Sequence, residues 1–216
     1  MDSLPILYSL QRCPYAMRAR LGLICAQQST RLREVSLKRV PDEMRVISSS
    51  PTVPLMVLPS GEIINESLDI MLWALQHNDP HHLLDESSKH VTQLELVHRH
   101  DAKFIPFLER YKQATRRKDF SKYYFRDECE KFLVEIEQVL SGQTCIVKDK
   151  PCLIDYALLP FIRQFSRVER QWFLSSPYQQ THHWINRLVQ TPIYAKAMTP
   201  FPEWQNTRED QILSHV

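Results

Sequence analysis

The chain predicts a small mixed α/β domain followed by an all-helical domain, and three observations predict it. Short apolar runs alternate with helical stretches through the first third. A polar, aperiodic segment carrying Pro80 then breaks the pattern. Beyond that break only helical periodicity is found, which separates an α/β half from a helical one.

The elements follow in order. Ile6 to Tyr8 reads as a strand, Pro14 to Gln27 as a helix, Arg33 to Leu37 as a strand and Pro41 to Ser48 as a short helix. The strand Pro54 to Leu58, the turn Pro59-Ser60-Gly61, the strand Glu62 to Ile64 and the helix Ser67 to His77 complete a β-α-β-α-β-β-α unit over residues 1–78. Residues 79–90 read as a linker. The helical domain is expected over 91–216: Val91 to Arg116, interrupted at Pro106, then Tyr123 to Leu140, Leu153 to Val168 and Gln179 to Gln190, with a loosely held tail from Trp204.

Composition narrows the function classes. The 216 residues are 43% hydrophobic, ordinary for a soluble globular chain. No run approaches the roughly 18 apolar residues of a membrane span and no secretory leader is evident, so a cytoplasmic location and no membrane partner are expected. Five cysteines without framework spacing suit a reducing compartment. The net charge of +2 is small and the basic residues are scattered, so no nucleic acid partner is indicated. The run Arg116-Arg117-Lys118 reads as a solvated helix end. The pairs His81-His82 and His182-His183 lack metal-ligand spacing, and no metal is expected.

Cys13-Pro14-Tyr15-Ala16 carries the strongest chemical signal. A cysteine after a strand and before a proline at the first helical position sits at the N-cap, where unpaired N–H groups and the helix dipole favour a thiolate. The thiolate is the reactive species. Ala16 stands where a dithiol motif has its second cysteine, and Cys25, at ~1.5 Å per residue, lies about 18 Å further along the helix. A mixed disulfide on Cys13 therefore needs a thiol from outside. The other cysteines, Cys25, Cys129, Cys145 and Cys152, read as small buried apolar residues.

Two more segments complete a candidate groove. In Thr52-Val53-Pro54-Leu55, a proline heading a strand marks Val53 as a residue whose main chain can pair with an extended peptide, through a cis Pro54 bond or as an ordinary trans strand start. In Glu66-Ser67, Ser67 reads as an N-cap that can receive a carboxylate, and Glu66 can pair with an ammonium group. Lys38 offers a cation for a second carboxylate. Such a groove fits a short thiol peptide with free carboxylates.

These motifs, in this order and context, resemble the thioredoxin-fold domain of the glutathione transferase superfamily. The resemblance continues at Cys152-Leu153-Ile154-Asp155-Tyr156-Ala157, similar to the family's buried, capped helix, although Cys152 replaces the usual Ser or Thr and is expected to anchor it less tightly. The resemblance implies a thioredoxin-like N-terminal domain plus an all-α C-terminal domain, and glutathione as co-substrate. Cysteine at the catalytic position is similar to omega-like bacterial members, which implies a thiol transferase or reductase acting through a Cys13–glutathione disulfide. Carried over by position, Tyr15 lines the groove, Lys38 meets the glycine carboxylate, Val53 and Pro54 hold the cysteinyl backbone, and Glu66 with Ser67 holds the γ-glutamyl end. A homodimer is implied by the same analogy.

A second-substrate pocket is expected in the helical domain, with Phe104, Phe107, Tyr111 and Trp172 as candidates, although aromatics at helical spacing also describe a core. The same scaffold allows a conjugating transferase, a dehalogenase or an isomerase. It also allows a non-enzymatic regulator like the stringent-starvation proteins, a reading against which Cys13 argues.

Overall fold

In a computed structural model, which describes residues 4–84 and 89–214, the first seven elements appear in the expected order. They are β1 (Ile6–Ser9), α1 (Pro14–Cys25), β2 (Thr30–Glu34), α2 (Asp42–Ile47), β3 (Leu55–Val57), β4 (Ile63–Ile64) and α3 (Ser67–His77). Strand β1 pairs in parallel with β2, from Ile6 opposite Arg31 to Ser9 opposite Glu34, and antiparallel with β3. The sheet is thioredoxin-like, with α1 and α3 packed together on it.

The second strand lies earlier than the expected Arg33 to Leu37. Thr30, Leu32 and Glu34 alternate inward, and the parallel register with β1 ends the ladder before Ser36 and Arg39 close a tight turn. Apolar Val35 and Leu37 suggested a strand that pairing does not extend to.

Gly22 sets the distance between α1 and α3. A Cβ there would lie 2.7 Å from Met71 Cα, so only glycine allows this approach.

The end of the chain corrects the expected loose tail. Residues Met1–His82 and Thr191–Val216 make up one compact unit and Leu83–Gln190 a second, so the boundaries 91–216 do not enclose the helical unit. The first unit gains α10 (Pro192–Ala197), α11 (Trp204–Thr207) and a fifth strand, β5 (Gln211–Leu213), antiparallel to β2 with Thr30 opposite Leu213. The sheet order is β4-β3-β1-β2-β5. Trp204 is buried, with the Arg33 guanidinium 4.3 Å from its ring, and Arg33 Nε donates to Asp210 at 2.7 Å.

The second unit holds α4 (Lys89–Arg99), a π-helical segment (His100–Phe104), α5 (Ile105–Arg117), α6 (Ser121–Leu140), α7 (Leu153–Ser166), α8 (Arg170–Ser175) and α9 (Gln179–Val189). Of the expected linker 79–90, residues 85–88 lie outside the described residues; Leu83, just before them, is buried and its carbonyl accepts from Leu153 N at 3.2 Å.

Helix α7 is the buried centre of this unit, and Asp155 anchors it. Its Oδ1 accepts from Ile146 N at 3.0 Å and Trp184 Nε1 at 2.8 Å. Its Oδ2 accepts from Cys152 N at 2.9 Å and from the Cys152 thiol at 3.1 Å. Cys152 and Asp155 thus form a complete capping box: the Cys152 sulfur accepts from the Asp155 N–H as a Ser or Thr oxygen would, and the Asp155 carboxylate accepts from the Cys152 N–H.

Candidate functional site

Cys13 occupies the N-cap of α1 with an extended backbone, and Pro14 is the first helical residue. Its N–H donates to Leu10 O and its carbonyl accepts from Met17 N, both at 2.9 Å, which fixes the turn from β1 into α1. Pro14 pre-sets the helical φ and has no N–H to satisfy, which suits it to the first helical position directly after Cys13.

The sulfur faces the proline-led strand. Cys13 Sγ lies 3.7 Å from Val53 O, and the residue is half-buried, while the other four cysteines are buried. The side chain packs against Tyr8, Val35, Met44, Val53 and Leu55. The Val53–Pro54 peptide is cis, which resolves the alternative left open by the sequence.

Beneath this turn lies a polar network that sequence reasoning missed. Arg20, fully buried on α1, donates from Nε to Ser9 Oγ at 2.8 Å and pairs through Nη2 with Glu34 Oε2. Its Nη1 reaches Ala197 O at 3.3 Å and Thr199 O at 3.4 Å. Glu34 Oε1 accepts from Gln11 N at 2.6 Å, and Gln11 Nε2 donates to Met198 O at 2.7 Å. Ser9 and Gln11 begin the segment that delivers Cys13, so the pair holds that segment from below.

Burial pushes the Arg20 guanidinium below its ordinary value despite the pull of Glu34, and burial pushes the Glu34 carboxyl up despite the pull of Arg20. The two shifts agree in sense: each charge is desolvated, and each is tolerated because of the other. Arg20 also interacts electrostatically with Cys13, in the sense that couples cation to thiolate. A signal existed in the sequence. Arg20 follows Cys13 by two helical turns on the same face, in a helix whose other residues, Arg18 and Tyr15 apart, are apolar or small.

The remaining candidates fall as follows. Tyr15 is half-buried in the first turn of α1. Lys38 is exposed at the tip of the Ser36–Arg39 turn, where its N–H meets Ser36 Oγ at 3.4 Å. Glu66, not Ser67, is the N-cap of α3, its carbonyl accepting from Ile70 N at 3.0 Å; Ser67 is the first helical residue and is buried.

In the helical unit Phe104 and Tyr111 are closed off. Phe104 stacks on His100 at 4.9 Å, and the buried Tyr111 donates its hydroxyl to Glu169 at 2.8 Å. Both belong to the core, which corrects their assignment to a pocket. Phe107 and Trp172 keep partial exposure, the latter beneath Arg126 at 4.2 Å.

Residues 7–82 match the family model described as glutathione S-transferase, N-terminal domain. No curated protein sequence matches the chain. Among solved structures, the chain is similar to a glutathione transferase family member from Pseudomonas fluorescens pf-5 with two glutathione bound (15% identity, 92% of this chain and 93% of that one, TM-score 0.79). It is also similar to glutathione transferase Omega 3C from Trametes versicolor (15%, 94% and 92%, 0.76) and to a glutathione transferase from Phanerochaete chrysosporium in complex with oxidized glutathione (15%, 95% and 97%, 0.78). At these identities the likeness establishes the glutathione transferase fold, and the match over 7–82 places the N-terminal domain within that architecture.

Proposed function

We propose that this protein is a glutathione transferase of the cysteine type, a thiol transferase or reductase that works through a Cys13–glutathione mixed disulfide. The observation that carries the reading is the half-buried Cys13 sulfur at the α1 N-cap, facing the Val53 carbonyl of the proline-led strand. Helix amides and the Arg20 cation favour the thiolate there. Glutathione bound in the Pseudomonas fluorescens relative supports the choice of co-substrate.

The cycle has two displacements. Cys13 thiolate attacks the glutathionyl sulfur of a mixed disulfide RS–SG; the Cys13–S–SG bond forms, the RS–S bond breaks, and RS⁻ leaves to take a proton from solvent. A second glutathione thiolate then attacks the same glutathionyl sulfur, releasing oxidised glutathione and regenerating Cys13 thiolate. Val53 pairs with the cysteinyl backbone beside Pro54, Glu66 and Ser67 hold the γ-glutamyl end at the start of α3, Lys38 meets the glycine carboxylate and Tyr15 flanks the sulfur. Phe107 and Trp172 are the candidates left for contact with the second substrate. A homodimer in the cytoplasm belongs to the same reading, supported by the family resemblance.

Mass spectrometry after incubation with oxidised glutathione tests it. One glutathione adduct, mapping to Cys13, is expected, and Cys13→Ala should abolish thiol transfer while glutathione still binds. Adducts elsewhere with Cys13 unmodified, or reductase activity retained in Cys13→Ala, would overturn the assignment.

A further inference from the structure

Where α5 and α7 end, the helical unit has an open recess of about 270 Å³ walled by Lys112, Thr115, Arg116, Gln164, Arg167 and Val168. Three of the six are cations and none is a carboxylate. Cations commonly gather at helix ends to neutralise terminal carbonyls, but here five of those carbonyls are already engaged. At the end of α5, Ala114 O accepts from Asp119 N at 2.9 Å and Thr115 O from Lys118 N at 3.1 Å. At the end of α7, Gln164 O accepts from Arg167 N at 3.2 Å, Phe165 O from Val168 N at 3.0 Å and Arg163 O from Ser166 Oγ at 2.8 Å.

The polar groups of the recess are arranged as donors. Lys112 Nζ donates to Glu109 Oε1 at 2.6 Å and to Gln164 Oε1 at 3.0 Å. The second bond turns the Gln164 amide so that its NH₂ remains as a donor. The Thr115 hydroxyl oxygen is shut off from solvent without a hydrogen-bond partner, so turning it toward a ligand oxygen breaks no existing bond. Arg116 and Arg167 are in no ion pair with a described residue, and both guanidinia keep their planar fork of donors.

We propose that this recess binds a phosphorylated small molecule through its phosphoryl group. A phosphomonoester carries close to two negative charges and three acceptor oxygens, which matches two guanidinia, an ammonium and neutral donors better than a single carboxylate does. The recess is larger than a lone phosphate ion fills, which leaves room for the first atoms of the esterified group. Every residue of the site belongs to the helical unit, whereas the Cys13, Val53 and Glu66 motifs belong to the α/β unit.

Isothermal titration calorimetry on the full chain, with phenyl phosphate and inorganic phosphate as probes at constant ionic strength, tests the proposal. Saturable one-to-one binding of phenyl phosphate is expected, tighter than inorganic phosphate and persisting in saturating glutathione. Arg116→Gln with Arg167→Gln should weaken it at least tenfold, and Arg167→Glu alone should abolish it, with circular dichroism confirming that both variants are folded. Exposed Lys150→Gln should leave it unchanged. Absence of saturable binding, displacement by glutathione, inorganic phosphate binding as tightly as the ester, or indifference to the arginine substitutions would each overturn the proposal.

Discussion

Arg20 and Glu34 form an ion pair inside the α/β unit, the first side chain 0% and the second 11% exposed. Removing one partner of a buried pair strands the other charge away from water, a loss of about 3–5 kcal/mol, whereas removing both costs far less. Glu34→Leu should therefore lower the urea unfolding free energy by that amount, and Arg20→Met with Glu34→Leu should recover part of it. A double variant as unstable as the sum of its singles would show that the two side chains act independently. Because Gln11 N loses its acceptor either way, full recovery is not expected.

The five cysteines separate by burial, and pH should show it. Burial pushes Cys145 up to about 11 and Cys25 to about 12, and pushes Cys129 and Cys152 higher still. Near pH 8 the thiolate fraction of Cys145 is then roughly one in a thousand. Iodoacetamide should modify Cys13 first in the native protein, with Cys25 protected until the chain unfolds. A thiol whose folded value is raised contributes stability that is whole below its unfolded value, near 9, and is lost as pH climbs toward about 12. Between about pH 8 and pH 10.5, Cys25→Ala should lose about 2 kcal/mol less stability than the parent. Parallel pH curves for the two proteins would contradict this.

Gly22→Ala tests the close approach of α1 and α3. Alanine favours a helix over glycine by about 1 kcal/mol, but its methyl would stand 2.7 Å from Met71 Cα and 2.8 Å from Met71 Cβ. Backbone cannot swing aside as a side chain does, so overpacking of about 1–3 kcal/mol should win and lower the melting temperature. Trimming the neighbour as well, in Gly22→Ala with Met71→Ala, removes the crowding at Cγ but leaves the clash with the Met71 backbone, so recovery should be incomplete.

What could be read in the chain beforehand divides along physical lines. The order β1-α1-β2-α2-β3-β4-α3 was legible because period-2 and period-3.6 patterns and their turn residues are local. The position of Cys13 was legible because strand, cysteine and proline are adjacent in sequence. β5 was not: Gln211–Leu213 has too few residues for a periodic signal, and it becomes a strand only because the edge of β2 accepts it. Arg20 escaped notice for the same reason. Its partners Ser9, Glu34 and Ala197 come from three places in the chain, and only folding shows that this buried charge is paired. Phe104 and Tyr111 could not be sorted from Phe107 and Trp172, because equal spacing on a helix does not say which side the core lies on.

Asp155 makes the sharpest stability prediction. Its carboxylate, fully buried, receives the N–H groups of Ile146, Cys152 and Trp184 and the thiol of Cys152. Asp155→Ala strands three buried N–H donors at once, at about 1–3 kcal/mol each, although relaxation around the site keeps the total below the sum. A loss of roughly 4 kcal/mol in urea unfolding is expected, a large share of an ordinary domain's stability. Asp155→Asn keeps the shape but turns an NH₂ toward at least one donor, so it should lose nearly as much, which separates charge and acceptor count from packing. Trp184→Phe removes a single donor and leaves the carboxylate with the other three; its effect should overlap with that of Asp155→Ala, giving a coupling energy of about 1 kcal/mol or more in a double-mutant cycle. Additive losses would mean that the indole packs beside the carboxylate without depending on it.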